Sequence, residues 1–116
     1  MLLYINLNHR ERKVEHCVFV KRWTLPLFDM GKTLEIRIAI TRFKFVKKGD
    51  TIVFSGTIKR TVKAIRWYPS FMEMGRWEKP EHILPGASTG QIIEALKRVY
   101  SKELEKKGVL VFELLP

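Results

Sequence analysis

The chain has 116 residues, of which 46% are hydrophobic and 29% are charged, proportions that are typical of a globular protein. This length predicts a single domain over residues 1–116, and no apolar run is long enough to cross a bilayer or to form a secretory signal. The one cysteine, Cys17, excludes an internal disulfide and a cysteine-based zinc cluster, so we expect a cytoplasmic protein without a metal or a cofactor.

The net charge of +10 is distributed unevenly along the chain. Twelve Lys and Arg residues stand against three acids between Lys21 and Arg66, so this segment carries nine of the ten net positive charges. A basic block inside a folded domain predicts a polyanionic partner, most simply RNA or DNA. Two alternatives stay open, namely a different anionic ligand and a lysine-rich surface that serves solubility alone.

The first predicted elements are two strands, over residues 2–8 and 14–21, which can pair as a hairpin. Cys17 lies in the apolar run of the second strand, so we expect it to be a small buried residue. Pro26 suits the first turn of a short helix that ends at Gly31. Trp23, just before this helix, is either a core anchor or the aromatic wall of a binding cleft.

The strand that follows, from Thr33 to about Phe43, is the stretch around which we build the candidate site. Apolar and polar residues alternate along it, so Glu35 and Arg37 project from one face about 7 Å apart, with Lys32 at the mouth of the strand. An acid between two cations suits the binding of a polar or anionic ligand. The alternative is a surface strand that carries an ordinary ion pair.

The later part of the chain contains three further predicted strands, a short helix and one long helix. In chain order we predict a polar turn at 47–50, a strand over 51–54, a strand over 58–67 whose imperfect alternation indicates a bulge, a short helix over 70–75, a loop over 77–86, the long helix and a last strand over 109–114. The long helix begins with the capping-box pattern of Ser88 and Gln91, its apolar stripe reaches Leu104, and Gly108 ends it. Five to seven short strands favour a small barrel or a strongly bent sheet with helices at its ends.

Five markers stand in one order along the chain and resemble the ASCH domain, a member of the PUA-like superfamily. They are Gly31-Lys32-Thr33-x-Glu35-x-Arg37, Lys48-Gly49-Asp50-x-Ile52-x-Phe54, Tyr68-x-Ser70-Phe71-x-Glu73, the helix end at Val99-Tyr100, and Gly108-Val109. The resemblance covers residues 16–115. It implies an α+β fold, a small PUA-like mixed β-barrel of five to seven strands with flanking helices.

The resemblance also implies an RNA-binding module, linked to translation or RNA processing, with a basic cleft built around Lys32, Glu35 and Arg37. The arginine offers a planar fork for phosphates or base edges, and the glutamate can accept from a cytosine amino group. Aromatic side chains can stack on an unpaired base, and Trp23, Tyr68 and Phe71 are candidates. The full candidate set for RNA or ligand binding is Trp23, Lys32, Glu35, Arg37, Lys47, Lys48, Arg66, Tyr68 and Ser70.

An alternative function comes from small bacterial ASCH proteins of similar size, which are amidohydrolases that act on acetylated cytidine. Their machinery is a lysine and a threonine in the strand that corresponds to residues 32–37, plus a later glutamate. Lys32 matches the lysine, Glu35 occupies the position of the threonine, and Glu73 is the nearest candidate for the later acid. If the chain is an enzyme, these three residues are the candidate catalytic set, because a carboxylate base can activate water beside a lysine that stabilises the oxyanion.

Overall fold

The computed structural model describes residues 14–116, so the strand predicted over 2–8 and its hairpin lie outside the described residues. The strands are β1 (Glu15–Val18), β2 (Leu34–Ile38), β3 (Thr51–Phe54), β4 (Ile58–Tyr68) and β5 (Val109–Leu114). A 3₁₀ helix spans Arg22–Met30, and the α-helices are α1 (Thr41–Lys44), α2 (Phe71–Trp77), α3 (Pro80–Ile83), α4 (Thr89–Val99) and α5 (Lys102–Glu105). The fold is therefore of the predicted α+β class.

The five described strands form one mixed sheet in the order β1-β3-β4-β5-β2. β1 runs parallel to β3, and the other three neighbouring pairs are antiparallel. Because β1 and β2 stand at the two ends of this order, the sheet is open within residues 14–116. β4 is long because it serves two neighbours: residues 58–61 pair with β3, and residues 62–68 pair with β5.

Two hydrophobic cores cover the two faces of the sheet. The first core contains Val18, Val20, Phe28, Ala39, Phe43, Val46, Ile52, Phe54, Val62, Leu110, Phe112 and Leu114. The second core contains Leu34, Ile36, Ile38, Phe71, Met74, Ile83, Ile92, Val109 and Val111. β5 contributes alternate residues to both cores, since successive side chains of a strand point to opposite faces. On β2, the apolar residues face the second core, so its polar residues stand on the side of the first core.

The bulge predicted within residues 58–67 is confirmed, and it lies at Lys63. Val62 pairs with Leu114 and Ala64 pairs with Glu113, so Lys63 has no residue opposite it in the ladder. One extra residue reverses the side-chain alternation for the rest of the strand. As a result, β4 residues of even number contact the first core before the bulge, whereas Tyr68 packs against the second core after it.

Several local boundaries confirm the sequence predictions. Gly31 ends the 3₁₀ helix with a left-handed φ of 107°, a conformation that suits a residue without a Cβ. The capping box of Ser88 and Gln91 is present at the start of α4. β3 has the predicted bounds, β5 spans the predicted last strand, and α2 begins within the predicted region, with Ser70 as its N-cap.

Four predictions were wrong. The predicted strand 33–43 ends at Ile38, because its partner β5 begins at Val109, opposite that residue, and α1 follows instead. The segment predicted as a loop contains α3, which starts at Pro80. The long helix ends at Val99, and a second short helix begins after Ser101, whose side chain caps it. Cys17 is exposed, because β1 alternates and its buried position is Val18.

Candidate functional site

The predicted residues Lys32, Glu35 and Arg37 form one ion-paired cluster, hereafter the Lys32 cluster. Lys32 Nζ lies 3.2 Å from Glu35 Oε1, and Arg37 Nη2 lies 2.7 Å from Glu35 Oε2. Lys32 and Glu35 are buried, with relative exposures of 6% and 7%, while Arg37 is half-buried. The floor of this site is thus a buried carboxylate between two cations. The alternation of β2 had predicted that Glu35 and Arg37 share one face of the strand.

The hydrogen-bonding capacity of the Lys32 cluster is largely used within the protein. Besides its ion pair with the carboxylate, Lys32 Nζ donates to the carbonyls of Leu34 at 2.7 Å and Ile83 at 2.9 Å, so three protein oxygens lie within 3.2 Å of this nitrogen. Arg37 donates to Glu35 through Nε and to the carbonyl of Phe19 through Nη2. The cluster therefore joins β2 to α3 and to the segment that follows β1.

The Lys32 cluster lies on the side of the first core and reaches a small cleft at the edge of β2. Lys32 Nζ is 5.7 Å from the centre of the Phe28 ring, and the Arg37 guanidinium is 5.4 Å from that of Phe43. The cleft has a volume of about 160 Å³ and is lined, besides Lys32 and Glu35, by apolar residues of β2, α3, α4 and the segment after α3. The lining of this cleft is thus mostly apolar, and Lys32 and Glu35 form its one polar end.

A second feature on this side is a surface of exposed cations and aromatic rings, which we call the basic surface. It comprises Phe19, Lys21, Arg22, Trp23, Arg42, Lys44, Lys47 and Lys48. Phe19 and Trp23 are 74% and 60% exposed. Among residues 14–116, no carboxylate lies within ion-pairing distance of any of these six cations.

Three contacts hold the segments of the basic surface together. Arg42 donates to the carbonyl of Cys17, and Arg37 donates to the carbonyl of Phe19, so α1 and β2 are tied to β1 and the residues after it. The turn with Lys47 and Lys48 is held by Asp50, which is fully buried. Its carboxylate accepts from the backbone N–H of Lys47 and lies 2.8 Å from Nε2 of His16 in β1.

The structure places the predicted residues Arg66 and Tyr68 away from the Lys32 cluster, on the side of the second core. There they meet two acids that were not predicted, Glu78 and Glu113. Arg66 donates through Nε and Nη2 to both oxygens of Glu78, at 2.6 and 2.9 Å, and through Nη1 to Glu113 at 2.7 Å. The Tyr68 hydroxyl donates to Glu78. We call this group the Arg66 cluster.

The Arg66 cluster shifts the pKa of each of its members. The hydrogen bond with Glu78 is the largest reason why the pKa of Arg66 lies above its usual value. Burial raises the pKa of the Tyr68 hydroxyl, and its bond to Glu78 raises it further. Burial alone would raise the pKa of Glu78, but the bonds from Arg66 and Tyr68 outweigh it, so this pKa is lowered. The bond from Arg66 also lowers the pKa of Glu113. Both carboxylates are therefore ionised at neutral pH.

The Arg66 cluster forms the floor of a cleft with a volume of about 660 Å³, hereafter the large cleft. The cleft lies where the connection between α2 and α3 faces the ends of β2, β4 and β5. Its lining residues are Thr33, Leu34, Lys63, Arg66, Tyr68, Trp77, Glu78, Lys79, His82, Glu113, Leu114, Leu115 and Pro116. Lys63 lies 3.5 Å from Glu113, whereas Lys79 has no carboxylate partner within residues 14–116.

The remaining predicted residues have local partners. The Ser70 hydroxyl accepts from the backbone N–H of Glu73 at the start of α2. Glu73 itself accepts from the indole N–H of Trp77 and lies 3.6 Å from Arg76, so both side-chain partners belong to α2. Phe71 is fully buried in the second core. None of these three residues contacts the Lys32 cluster in the structure.

Sequence reasoning missed the two acids of the Arg66 cluster for a simple reason. Glu78 follows a short helix and Glu113 lies in an apolar strand, so neither stands in a recognisable pattern. The signal that was present is the bulge: once Lys63 is identified as the extra residue, Arg66 lies on the same face of the β4–β5 ladder as Glu113, which pairs with Ala64 two residues before Arg66.

Residues 14–116 contain neither a metal-binding group nor a membrane-spanning helix. Among them, no group of three His, Cys, Asp or Glu side chains is placed to hold a metal ion. No helix in this part of the chain is long and apolar enough to cross a membrane.

Comparison with known proteins identifies relatives among solved structures. No family model matches the chain, and no curated protein matches it. The crystal structure of the hypothetical protein PH0355 is similar, with a TM-score of 0.78 and 33% sequence identity over 90% of this chain and 99% of that one. The solution NMR structure of PF0455 from Pyrococcus furiosus is similar as well, with a TM-score of 0.75 and 37% identity over 89% of this chain and 97% of that one. The chain belongs to the family of PH0355 and PF0455.

Proposed function

We propose that this protein is an RNA-binding domain of the ASCH type, with a PUA-like fold, linked to translation or RNA processing. The observation that carries the proposal is the basic surface, which combines six exposed cations without a carboxylate partner in residues 14–116 with two exposed aromatic rings, on segments that hydrogen bonds hold together. The five ASCH-like markers in the sequence support the same assignment. The long, bulged β4, which joins two halves of the sheet, agrees with the bent sheet that a PUA-like barrel requires.

The chemistry of the basic surface suits single-stranded RNA. Cations that already pair with protein carboxylates gain little from a phosphate, whereas unpaired cations release condensed counterions from the nucleic acid when they bind it. Exposed aromatic rings supply stacking platforms for unpaired bases, and any base has a face that can stack. Phe19 and Trp23 offer such rings beside Lys21 and Arg22.

The Lys32 cluster has a supporting role in this proposal. Its lysine and glutamate are buried and paired, and Lys32 holds β2 against α3, while Arg37 holds β2 against the segment that carries Phe19. Arg37 is the member with a residual exposed edge, and it lies beside the basic surface. We therefore assign RNA contact chiefly to the exposed cations, and positioning to Lys32 and Glu35.

The test is the salt dependence of RNA binding. Fluorescence anisotropy of a labelled single-stranded RNA with a 5′-hydroxyl is measured between about 50 and 300 mM salt, where each lost phosphate contact lowers the slope of log K against log[salt] by about 0.7. We expect affinity to fall steeply with salt. The double variant Lys47→Ala/Lys48→Ala should bind more weakly and show a slope that is smaller by about 1.4 if both residues contact phosphates.

A matched control removes the same charge from the other side of the sheet. Lys97 and Lys102 are exposed and have no carboxylate partner within residues 14–116, and the helices that carry them pack on the second core. Lys97→Ala/Lys102→Ala should leave the slope almost unchanged. Equal losses in the two double variants would show that total charge, and not the basic surface, drives binding. Undetectable binding at low salt would refute the proposal altogether.

The alternative, an amidohydrolase that acts on modified nucleosides such as acetylated cytidine, has less support from the geometry. A general base needs an oxygen that can reach water, but both oxygens of Glu35 are ion-paired. Lys32 Nζ donates to two backbone carbonyls and is ion-paired with Glu35, and Glu73 contacts Trp77 and Arg76. Release of acetate from acetylated cytidine that disappears in Lys32→Ala would nevertheless favour this function over RNA binding.

A further inference from the structure

The large cleft has the size and the lining of a ligand site, and the RNA-binding proposal does not use it. Its volume of about 660 Å³ falls within the range of about 300–1,000 Å³ that is usual for small-molecule sites. It opens on the side of the second core, whereas the basic surface lies beside the first core. A ligand in this cleft would therefore not compete directly with RNA on the basic surface.

The floor of the cleft contains one guanidinium against two ionised carboxylates, so the Arg66 cluster carries a net charge of −1. Arg66 makes hydrogen bonds with Glu78 and Glu113, and Tyr68 donates to Glu78, so the charges of these groups are paired with each other. In the described residues, no buried side-chain nitrogen or oxygen is left without a hydrogen-bond partner. The Arg66 cluster consequently supplies a fixed polar base for the cleft, and recognition of a ligand depends on its rim.

The rim combines an aromatic face with cations. Trp77 is 69% exposed, and its indole N–H donates to Glu73 at 3.1 Å, which restrains the ring while it leaves its face open. Lys79 is exposed and has no carboxylate partner within residues 14–116. Lys63 Nζ lies 3.5 Å from Glu113 Oε2, a longer contact than the one between Glu113 and Arg66. An exposed π-face that lines the same cleft as two ammonium groups matches a ligand that contains both an aromatic ring and an anionic group.

From this rim we infer that the large cleft binds a nucleoside monophosphate, with its base stacked on Trp77 and its phosphate at Lys63 and Lys79. The phosphate needs no buried countercharge, because Lys79 has no carboxylate partner within residues 14–116 and Lys63 is exposed with a single carboxylate contact at 3.5 Å, so both ammonium groups can reach a phosphate at the surface. An acidic peptide would also satisfy the ammonium groups, but it would leave the exposed indole uncovered. The aromatic base is thus the part of the ligand that separates the two classes.

NMR titration of the labelled protein with 5′-AMP tests this inference directly. The chain has three Trp residues, so its spectrum carries one indole N–H signal each for Trp23, Trp67 and Trp77. We expect the Trp77 signal and the backbone signal of Lys79 to shift and to saturate below about 10 mM nucleotide, with little change at Trp23. Absence of saturable shifts at Trp77 and Lys79 would overturn the inference.

Four further ligands test which parts of the nucleotide are recognised. Adenosine should bind more weakly than AMP, and inorganic phosphate should shift Lys79 and leave Trp77 almost unchanged. A tetraglutamate peptide that binds as tightly as AMP would overturn the inference in favour of an acidic peptide. A hexa-adenylate with a 5′-phosphate distinguishes the sources of the ligand: binding equal to AMP indicates the end of an RNA chain, and weaker binding indicates a free nucleotide.

Crossed variants separate this inference from the RNA-binding proposal. Trp77→Leu should weaken AMP binding, followed at the Lys79 signal, at least about fivefold, and Lys63→Ala and Lys79→Ala should each weaken it about two- to fivefold. Trp23→Leu should weaken RNA binding by a similar factor and leave AMP binding unchanged. A loss of AMP binding in Trp23→Leu but not in Trp77→Leu would place the nucleotide on the basic surface and refute the assignment to the large cleft.

Discussion

Replacement of Lys32 by methionine tests whether the Lys32 cluster stabilises the fold. Methionine keeps most of the length and the apolar body of the lysine but removes its ammonium group. The variant loses the hydrogen bonds to the carbonyls of Leu34 and Ile83 and the ion pair with Glu35. The carboxylate of Glu35 is not left unpaired, however, because Arg37 still contacts it through Nε and Nη2.

The expected loss of stability follows from these contacts. Each lost hydrogen bond to a buried carbonyl contributes about 1 kcal/mol, and the weakened ion pair adds a comparable amount, so Lys32→Met should lower the free energy of unfolding by about 2–4 kcal/mol. This is less than the loss of about 3–5 kcal/mol that follows when a buried charge loses its only partner. The difference reflects the remaining contact between Glu35 and Arg37.

Urea unfolding followed by circular dichroism at neutral pH measures this loss. The control is Lys97→Met, the same change at an exposed position, which should alter stability by less than about 0.5 kcal/mol. A double-mutant cycle with Glu35→Gln should give a coupling energy of about 1–3 kcal/mol for the pair. A Lys32→Met protein as stable as the wild type would refute the reasoning. It would indicate that Lys32 serves to bind a ligand and does not stabilise the fold.

Two further predictions concern the turn before β5 and the Arg66 cluster. In Gly108→Ala, the new Cβ would lie 2.0 Å from the indole nitrogen of Trp67, so urea unfolding should show a loss well above that of Gly49→Ala, a position with a similar positive φ and no atom within 4 Å. The pKa of Glu78 is lowered in the folded state, so its bond to Arg66 stabilises the protein above pH 4.5, the usual pKa of such a group, and this contribution is lost as the pH falls through the lowered pKa. Glu78→Gln should therefore make the acid side of the stability profile shallower, and an unchanged slope below pH 4.5 would contradict the assignment.

The Lys32 cluster was accessible to sequence reasoning because it depends on one regular strand. The alternation of β2 placed Glu35 and Arg37 on one face, and Lys32 lies close enough to join them. The burial of Lys32 was not accessible, because it depends on the carbonyl of Ile83, which is 51 residues away in the sequence. Contacts of that separation are set by packing and not by a local pattern.

The second candidate region was not assembled from the sequence because side-chain parity depends on the position of the bulge. The imperfect alternation indicated that β4 contains an extra residue, but not that Lys63 is that residue. Without the position of the bulge, Tyr68 cannot be assigned to a face of the sheet, and from the sequence it was grouped with Lys32, Glu35 and Arg37. A shift of one residue moves every later side chain of the strand to the other side of the sheet.

Cys17 shows the same limit on a smaller scale. The four consecutive apolar residues 17–20 predicted that Cys17 is buried. In the structure Val18 and Val20 are buried, whereas Cys17 and Phe19 are exposed. Alternation within an all-apolar run leaves no trace in the pattern of polar and apolar residues. The exposed Phe19 is therefore informative, since a large apolar ring outside the core is a common feature of binding surfaces.

The contacts of the Lys32 cluster explain how a buried group can matter to both candidate sites without touching a ligand. Through the carbonyl of Phe19, Arg37 restrains the segment that leads to Trp23 on the basic surface. Through the carbonyl of Ile83, Lys32 restrains α3, which carries His82 of the large cleft. Loss of Lys32 should therefore weaken RNA binding and AMP binding together and modestly, whereas a variant at either aromatic ring should weaken one and spare the other. Only a large, selective loss of one activity in the folded Lys32→Met protein would require direct contact between this lysine and a ligand.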